Sequence, residues 1–224
     1  MRYLFLFCTT LLYTVVLSQP VKWDSTFRPN NYELKVELFK SFPNKSSDII
    51  FLGNSITAGT DWMEMLGRTD VRNRGISGDI TFGVLERLDE VTEGKPSKIF
   101  ILIGINDISR NIPDSVILSN YKKIIRRIKK ESPGTKIYFN TLLPVNNSFP
   151  DRAHFNKDEH LLFVNEELKK LGAAEKITVI DIHPHFLDAG KRLDKKYTYD
   201  GLHLDMEGYQ KWAAILKPYL KNKK

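Results

Sequence analysis

The stretch Asp48-Ile49-Ile50-Phe51-Leu52-Gly53-Asn54-Ser55-Ile56-Thr57 decides how this chain is read. Its apolar run, Ile49 to Leu52, has no polar alternation. It therefore describes a strand covered on both faces, as strands of parallel sheets are. Gly53 and Asn54 break the run and Ser55 opens the next element. A serine just past a strand and at the start of a helix lies near the positive end of the helix dipole, beside N–H groups without helical acceptors. Such a place suits an oxyanion, although an ordinary N-cap serine has the same local sequence.

Outward from this segment the chain alternates short apolar runs with longer periodic ones. The spacing predicts strands at 48–52, 71–73, 98–103, 136–142 and 177–182. Ile117, Leu118, Tyr121, Ile124, Ile125 and Ile128 form one helical stripe, stopped by Pro133-Gly134. Leu161, Val164, Leu168 and Leu171 mark a helix expected to end at Gly172, and Met206, Tyr209, Trp212, Ala213, Leu216 and Leu220 mark the last one. A lead-in with a helix at 32–42 precedes the first strand. Alternating strands and helices imply an α/β fold with a parallel sheet covered on both faces, whose active crevice lies beyond the carboxyl ends of the strands.

At 224 residues, with 42% hydrophobic and 27% charged, the chain has the profile of one soluble globular domain, not a disordered or polytopic membrane protein. The net charge of +7 permits anionic partners without naming one. A single cysteine, Cys8, excludes a disulfide framework and a cysteine-ligated metal cluster. Arg2 and the apolar run that follows it are too short for a membrane span and fit a secretory signal, with Val16 and Ser18 placing a cut before Gln19. The expected division is a signal peptide at 1–18, a lead-in at 19–47 and a main domain at 48–224. The protein is then secreted or periplasmic, without stable membrane insertion after cleavage; an uncleaved N-terminal anchor is the alternative.

Three more loops carry chemistry. Asn73-Arg74-Gly75-Ile76-Ser77-Gly78-Asp79 is a tight turn in which Gly75 could offer its N–H to a ligand. Gly104-Ile105-Asn106-Asp107 could aim the Asn106 amide into the crevice. In Tyr199-Asp200-Gly201-Leu202-His203, the Asp200 carboxylate could hold His203 by Nδ1 and leave Nε2 to take a proton from a serine. Each loop alone also reads as a plain turn. Together they supply a nucleophile, a base, an orienting acid and oxyanion donors, each once.

These segments resemble the conserved blocks of the SGNH hydrolases, also called the GDSL esterase/lipase superfamily. Gly53-Asn54-Ser55 stands where the family usually has Gly-Asp-Ser, Gly75 is taken as the second block's glycine, Gly104 to Asp107 match Gly-x-Asn-Asp, and Asp200 and His203 match Asp-x-x-His. Residues 73–88 (NRGISGDITFGVLERL) resemble the branch holding platelet-activating-factor acetylhydrolase α-subunits and bacterial carbohydrate O-acetylesterases. The resemblance implies a flavodoxin-like three-layer α/β/α sandwich with a five-stranded parallel sheet in the order 2-1-3-4-5. It implies a Ser55–His203–Asp200 triad, an oxyanion hole of Ser55 N–H, Gly75 N–H and the Asn106 side chain, and no metal or organic cofactor.

The α/β-hydrolases are disfavoured, because Thr57 stands where their Gly-x-Ser-x-Gly elbow needs glycine and because Asp200 and His203 are close in sequence. His183-Pro184-His185 lacks a third ligand at recognisable spacing, so a metal site is disfavoured. Asn146 and Arg152, in the long loop at 144–158 with His154, are candidate substrate contacts. Lys122, Lys123, Arg126, Arg127, Lys129 and Lys130 read as a solvated helix face, not a nucleic-acid surface. The expected substrate is an acylated small molecule or glycan, with an acetyl ester on carbohydrate foremost. A lysophospholipase or thioesterase, and a non-catalytic glycan-binding protein, are the rivals.

Overall fold

A computed structural model describes residues 22–221. The expected signal peptide, its cut before Gln19, and Cys8 lie outside the described residues. Five parallel strands, β1 (Ile49–Gly53), β2 (Val71–Gly75), β3 (Lys98–Leu102), β4 (Lys136–Asn140) and β5 (Thr178–Ile180), form one sheet in the order β2-β1-β3-β4-β5. All five residues of the interior strand β1 are buried, as its unbroken apolar run requires.

The two sides of β1 have different partners. Phe51 registers with Phe100 of β3, which registers with Tyr138 of β4, and these three rings stack in a row across the sheet. Trp62 of α3 (Trp62–Leu66) stacks on Phe51 at 4.2 Å and meets Trp212 of α9 (Met206–Leu220) edge-on at 4.8 Å. The opposite face carries α7 (Asp114–Glu131), whose predicted stripe is buried apart from the half-buried Leu118 and whose Tyr121 packs on Phe139 at 4.6 Å. Apolar burial of this extent is the main stabilising term of such a domain. On the outer side of α7, Arg127 pairs with Glu131, and Arg126 and Lys129 pair with Glu175, so part of the basic face is occupied by ion pairs.

The elements differ from the sequence expectation at a few ends. The lead-in helix is α1 (Tyr32–Ser41). Gly172 does not terminate α8 (Asp158–Ala174) but lies inside it. A Cβ there would meet Val179 Cγ2 at 2.3 Å, so the glycine permits close approach of helix to strand instead of a turn. β2 runs two residues beyond the expected 71–73 and ends at Gly75, which registers with Gly53.

Below the strand ends lies a buried ionic cluster. The Arg87 guanidinium bonds Asp79 through Nε at 3.0 Å and Glu90 through Nη1 at 3.2 Å, while Arg74 Nε meets Glu90 at 3.1 Å. Arg87 Nη2 donates to the carbonyls of Gly53 (3.2 Å) and Arg74 (2.9 Å), beside the points where β1 and β2 release their loops. Burial pushes the Asp79 and Glu90 carboxyls upward, against the lowering charge of Arg87. Removing the guanidinium would leave two buried carboxylates short of a counter-charge. Arg87→Ala is expected to lower the unfolding free energy by about 3–5 kcal/mol near neutral pH, measured by urea denaturation. Without Arg87 both carboxyls hold their protons to higher pH, so the deficit against the unaltered protein should shrink as the pH falls toward about 5.

Candidate active site

The serine loop is shaped by its own asparagine. Asn54 caps α2 (Ser55–Ala58), its Oδ1 accepting from Ile56 N at 3.0 Å. Ser55 is the first residue of that turn, where an N–H has no acceptor within the helix.

The Asp200–His203 turn is held just as locally. Thr198 Oγ1 accepts from Gly201 N at 2.9 Å and donates to His203 O at 2.6 Å. Gly201 has φ +80°, and a Cβ on it would lie 2.4 Å from Asn146 O, so this position requires glycine on both counts. Asp200 Oδ1 accepts the N–H groups of Leu202 (3.0 Å) and His203 (2.8 Å), and its Oδ2 accepts His203 Nδ1 at 2.7 Å. Burial raises the Asp200 carboxyl, but these bonds outweigh it and hold it below the usual carboxylate range. On the far side of the ring, His203 Nε2 lies 2.9 Å from Ser55 Oγ across 148 residues of chain. Serine, imidazole and carboxylate thus form one hydrogen-bonded chain, an arrangement able to draw the hydroxyl proton onto Nε2 and stabilise the resulting imidazolium.

Asn106 lies in α6 (Ile105–Ser109), just beyond β3. Its Nδ2 donates to Asp79 O at 2.8 Å, which leaves the second Nδ2 proton for a ligand. Gly75 is a correction. As the last residue of β2 it belongs to the sheet, not to the crevice, and its N–H already donates to Asn73 Oδ1 at 2.9 Å. A Cβ there would meet Ala58 N at 2.4 Å, so Gly75 serves packing beneath α2. Three residues on, Gly78 sits in the turn at φ +81°, and among the described residues its N–H has no protein acceptor, which makes it the candidate backbone donor. The sequence reading took Gly75 as the block's glycine, with β2 ended two residues too early.

Asn146 is the second correction. It is buried, with Nδ2 donating to Leu193 O at 2.8 Å and Oδ1 accepting from Ser148 N and Oγ. Its own N–H bonds Gly201 O at 2.8 Å. With both ends of its amide engaged by the protein, it ties the long loop to the Asp200–His203 turn instead of facing substrate. Arg152 does reach the site, but through Asp200: its Nη2 lies 2.8 Å from Oδ2, the oxygen that also holds His203. Two residues the sequence reading left without a role also stand here. Tyr199 is 65% exposed with its ring nearly parallel to His203 at 6.0 Å, and His154 Nε2 lies 2.9 Å from Asn106 Oδ1. His183 is turned away, its Nδ1 engaged by Leu142 O at 2.9 Å.

The chain matches the GDSL-like lipase/acylhydrolase family over residues 51–211, and it belongs to that family. The α2 subunit of platelet-activating factor acetylhydrolase IB from Rattus norvegicus is 29% identical over 182 residues, covering 78% of this chain and 75% of the relative. A solved structure from Streptococcus pneumonia, provisionally named as a platelet activating factor, is 31% identical with a TM-score of 0.79, covering 85% of this chain and 93% of the other. A GDSL-like lipase structure from Bacteroides thetaiotaomicron is similar in fold, at 22% identity and a TM-score of 0.74 over 85% and 97% of the two chains. An acetyl xylan esterase structure is similar in fold too, at 21% identity and 0.66 over 78% and 100%. The chain is therefore a member of an ester-hydrolysing family.

Next to Asn106, Asp107 is buried and accepts from Thr81 N and from Thr81 Oγ1 at 2.6 Å. Burial, partly offset by these bonds, raises its carboxyl to about 7. The folded protein then retains a proton that the unfolded chain has released, so stability declines as the pH rises from about 4 to about 7. Asp107→Asn lacks that decline. Urea denaturation across this range should find the variant gaining on the unaltered protein as the pH rises, and a constant difference would remove Asp107 from the titration.

Proposed function

We propose that this protein is an exported serine esterase that removes small acyl groups, acetyl foremost, from carbohydrate. The observation that carries the reading is the unbroken hydrogen-bonded chain Ser55–His203–Asp200 at 2.9 and 2.7 Å. Ser55 Oγ attacks the acyl carbonyl as its proton moves to His203 Nε2. The carbonyl oxygen becomes an oxyanion facing the N–H groups of Ser55 and Gly78 and the Nδ2 of Asn106. Collapse expels the sugar alkoxide, which takes the proton from His203 and leaves an acyl-enzyme on Ser55. Water, deprotonated by the same imidazole, then releases the acid and restores the serine. Asp200 orients the ring and stays ionised throughout.

The acetyl preference is supported by the acetylhydrolase relative, and the carbohydrate by the crevice mouth. Tyr199 offers an exposed aromatic face beside His203, suited to the apolar face of a sugar, and Arg152 offers charged donors next to it. A long acyl chain would need an apolar groove at the serine. One cavity of about 540 Å³, lined by Val145, Leu161, Leu162 and Leu187 together with His183 and Arg192, contains no triad residue. Export rests on the N-terminal segment, and N-terminal sequencing of protein recovered outside the cytoplasm is expected to begin at Gln19.

With p-nitrophenyl acetate, Ser55→Ala should abolish turnover and stoichiometric fluorophosphonate labelling, and Asn106→Ala should lower kcat by about 10²–10³. Equal rates for the unaltered protein and Ser55→Ala would refute the serine mechanism. A preference rising beyond about eight acyl carbons would favour the lysophospholipase reading, since each added methylene must then find apolar surface. Acetate release from a panel of acetylated glycans identifies the sugar.

A further inference from the structure

We propose that His154 is a positioning residue for the oxyanion-binding amide, its Nε2–H fixing which end of Asn106 faces the crevice. The inference rests on the esterase reading above. An asparagine amide is nearly symmetric in shape, so its orientation is set by what its two ends touch. At one end Nδ2 donates to Asp79 O at 2.8 Å, and at the other Oδ1 meets His154 Nε2 at 2.9 Å. Turned round, Oδ1 would face both the Asp79 carbonyl and the place of the oxyanion, opposing an acceptor at each. Nδ2 would then confront the imidazole N–H. Asp79 and His154 thus select the same orientation, and only that one supplies a donor to the reaction.

The ring is set up to be a donor at Nε2. Its Nδ1 is sealed from solvent and has no partner among the described residues. Burial, aided by the positive charge of Arg152, Lys157 and Arg110, lowers His154 to about 4, so the imidazole stays neutral at ordinary pH. A neutral ring donating through Nε2 carries its lone pair on Nδ1, where no donor is left stranded. Accepting at Oδ1 also polarises the amide and strengthens donation from Nδ2.

The loop that bears His154 is fastened to the helix that bears Asn106. Lys157 Nζ donates to Ile108 O (2.9 Å), Ser109 O (3.0 Å) and Asn111 Oδ1 (2.6 Å) at the end of α6. Phe155, between the two residues, is buried in the core. Ring and amide are therefore held as one body. Sequence alone gave no signal for this, because the loop matches no block and its pairing with α6 spans 48 residues.

The test is a set of steady-state measurements on p-nitrophenyl acetate. His154→Phe keeps the bulk and loses the donor, and it should lower kcat about 10- to 100-fold with little change in KM. His154→Gln, whose amide N–H can occupy the place of Nε2–H, should recover most of that loss. In the Asn106→Ala background, His154→Phe should cost nothing further, because both act through one group. Wild-type kcat in His154→Phe, or a full multiplicative loss on top of Asn106→Ala, would overturn the role. If His154→Phe does not fold, His154→Ala against His154→Gln makes the same comparison. An unaltered protein inert to acetate esters and to a fluorophosphonate would refute the esterase reading itself, a result distinct from active protein with indifferent His154 variants.

Discussion

One buried guanidinium holds the ends of two strands and the turn beyond them in a fixed relation. Arg87 donates to the Gly53 carbonyl, two residues before the serine, and to the Arg74 carbonyl, at the end of β2. It also fixes Asp79, whose carbonyl receives the Asn106 amide. Serine loop, glycine turn and asparagine helix therefore share one anchor. Parallel strands by themselves set the level of these loops but not their mutual angles. A rigid planar fork with several donors suits that task better than a flexible ammonium. The desolvation it entails is offset by Asp79, Glu90 and the carbonyls acting together.

The loop at 144–158 acts as a second layer around the same centre. Asn146 ties it to the catalytic turn, Arg152 touches the Asp200 oxygen that holds His203, and His154 touches Asn106. A single connection thus reaches the carboxylate end and the oxyanion end of the proposed machinery. Loops carried by a rigid scaffold are where such specialisation arises. On either side of Arg152, Asp151 and Ala153 are exposed.

The sheet was legible because short, β-branched and aromatic apolar runs bounded by turn residues fit strands better than helices: β1 and β3 were read almost to the residue. The hydrogen-bonded Asp200–His203 turn was legible because its geometry is local. What escaped depended on register and on distant pairing. Reading β2 as ending at Asn73 placed Gly75 in the crevice, whereas its pairing with Gly53 keeps it in the sheet and moves attention to Gly78. Asn146 looked like a polar loop residue free for ligand, but its amide partners, Leu193 and Ser148, are decided only by tertiary packing. Gly172 carried the sign of a helix end when its real constraint was the methyl of Val179.

The proposed nucleophile enters the fold near its beginning and the proposed base near its end, and α9 joins them. Tyr209 of that helix donates its hydroxyl to Ile56 O at 2.9 Å, one residue past the serine, and Trp212 closes on Trp62. Undocking of α9 would strain the His203 turn just ahead of it and loosen the backbone beside Ser55 in the same event. The proposed site is therefore assembled only when α9 is seated. An otherwise compact chain whose terminal helix has peeled away would be silent, which makes turnover a sensitive reporter on the seating of that helix.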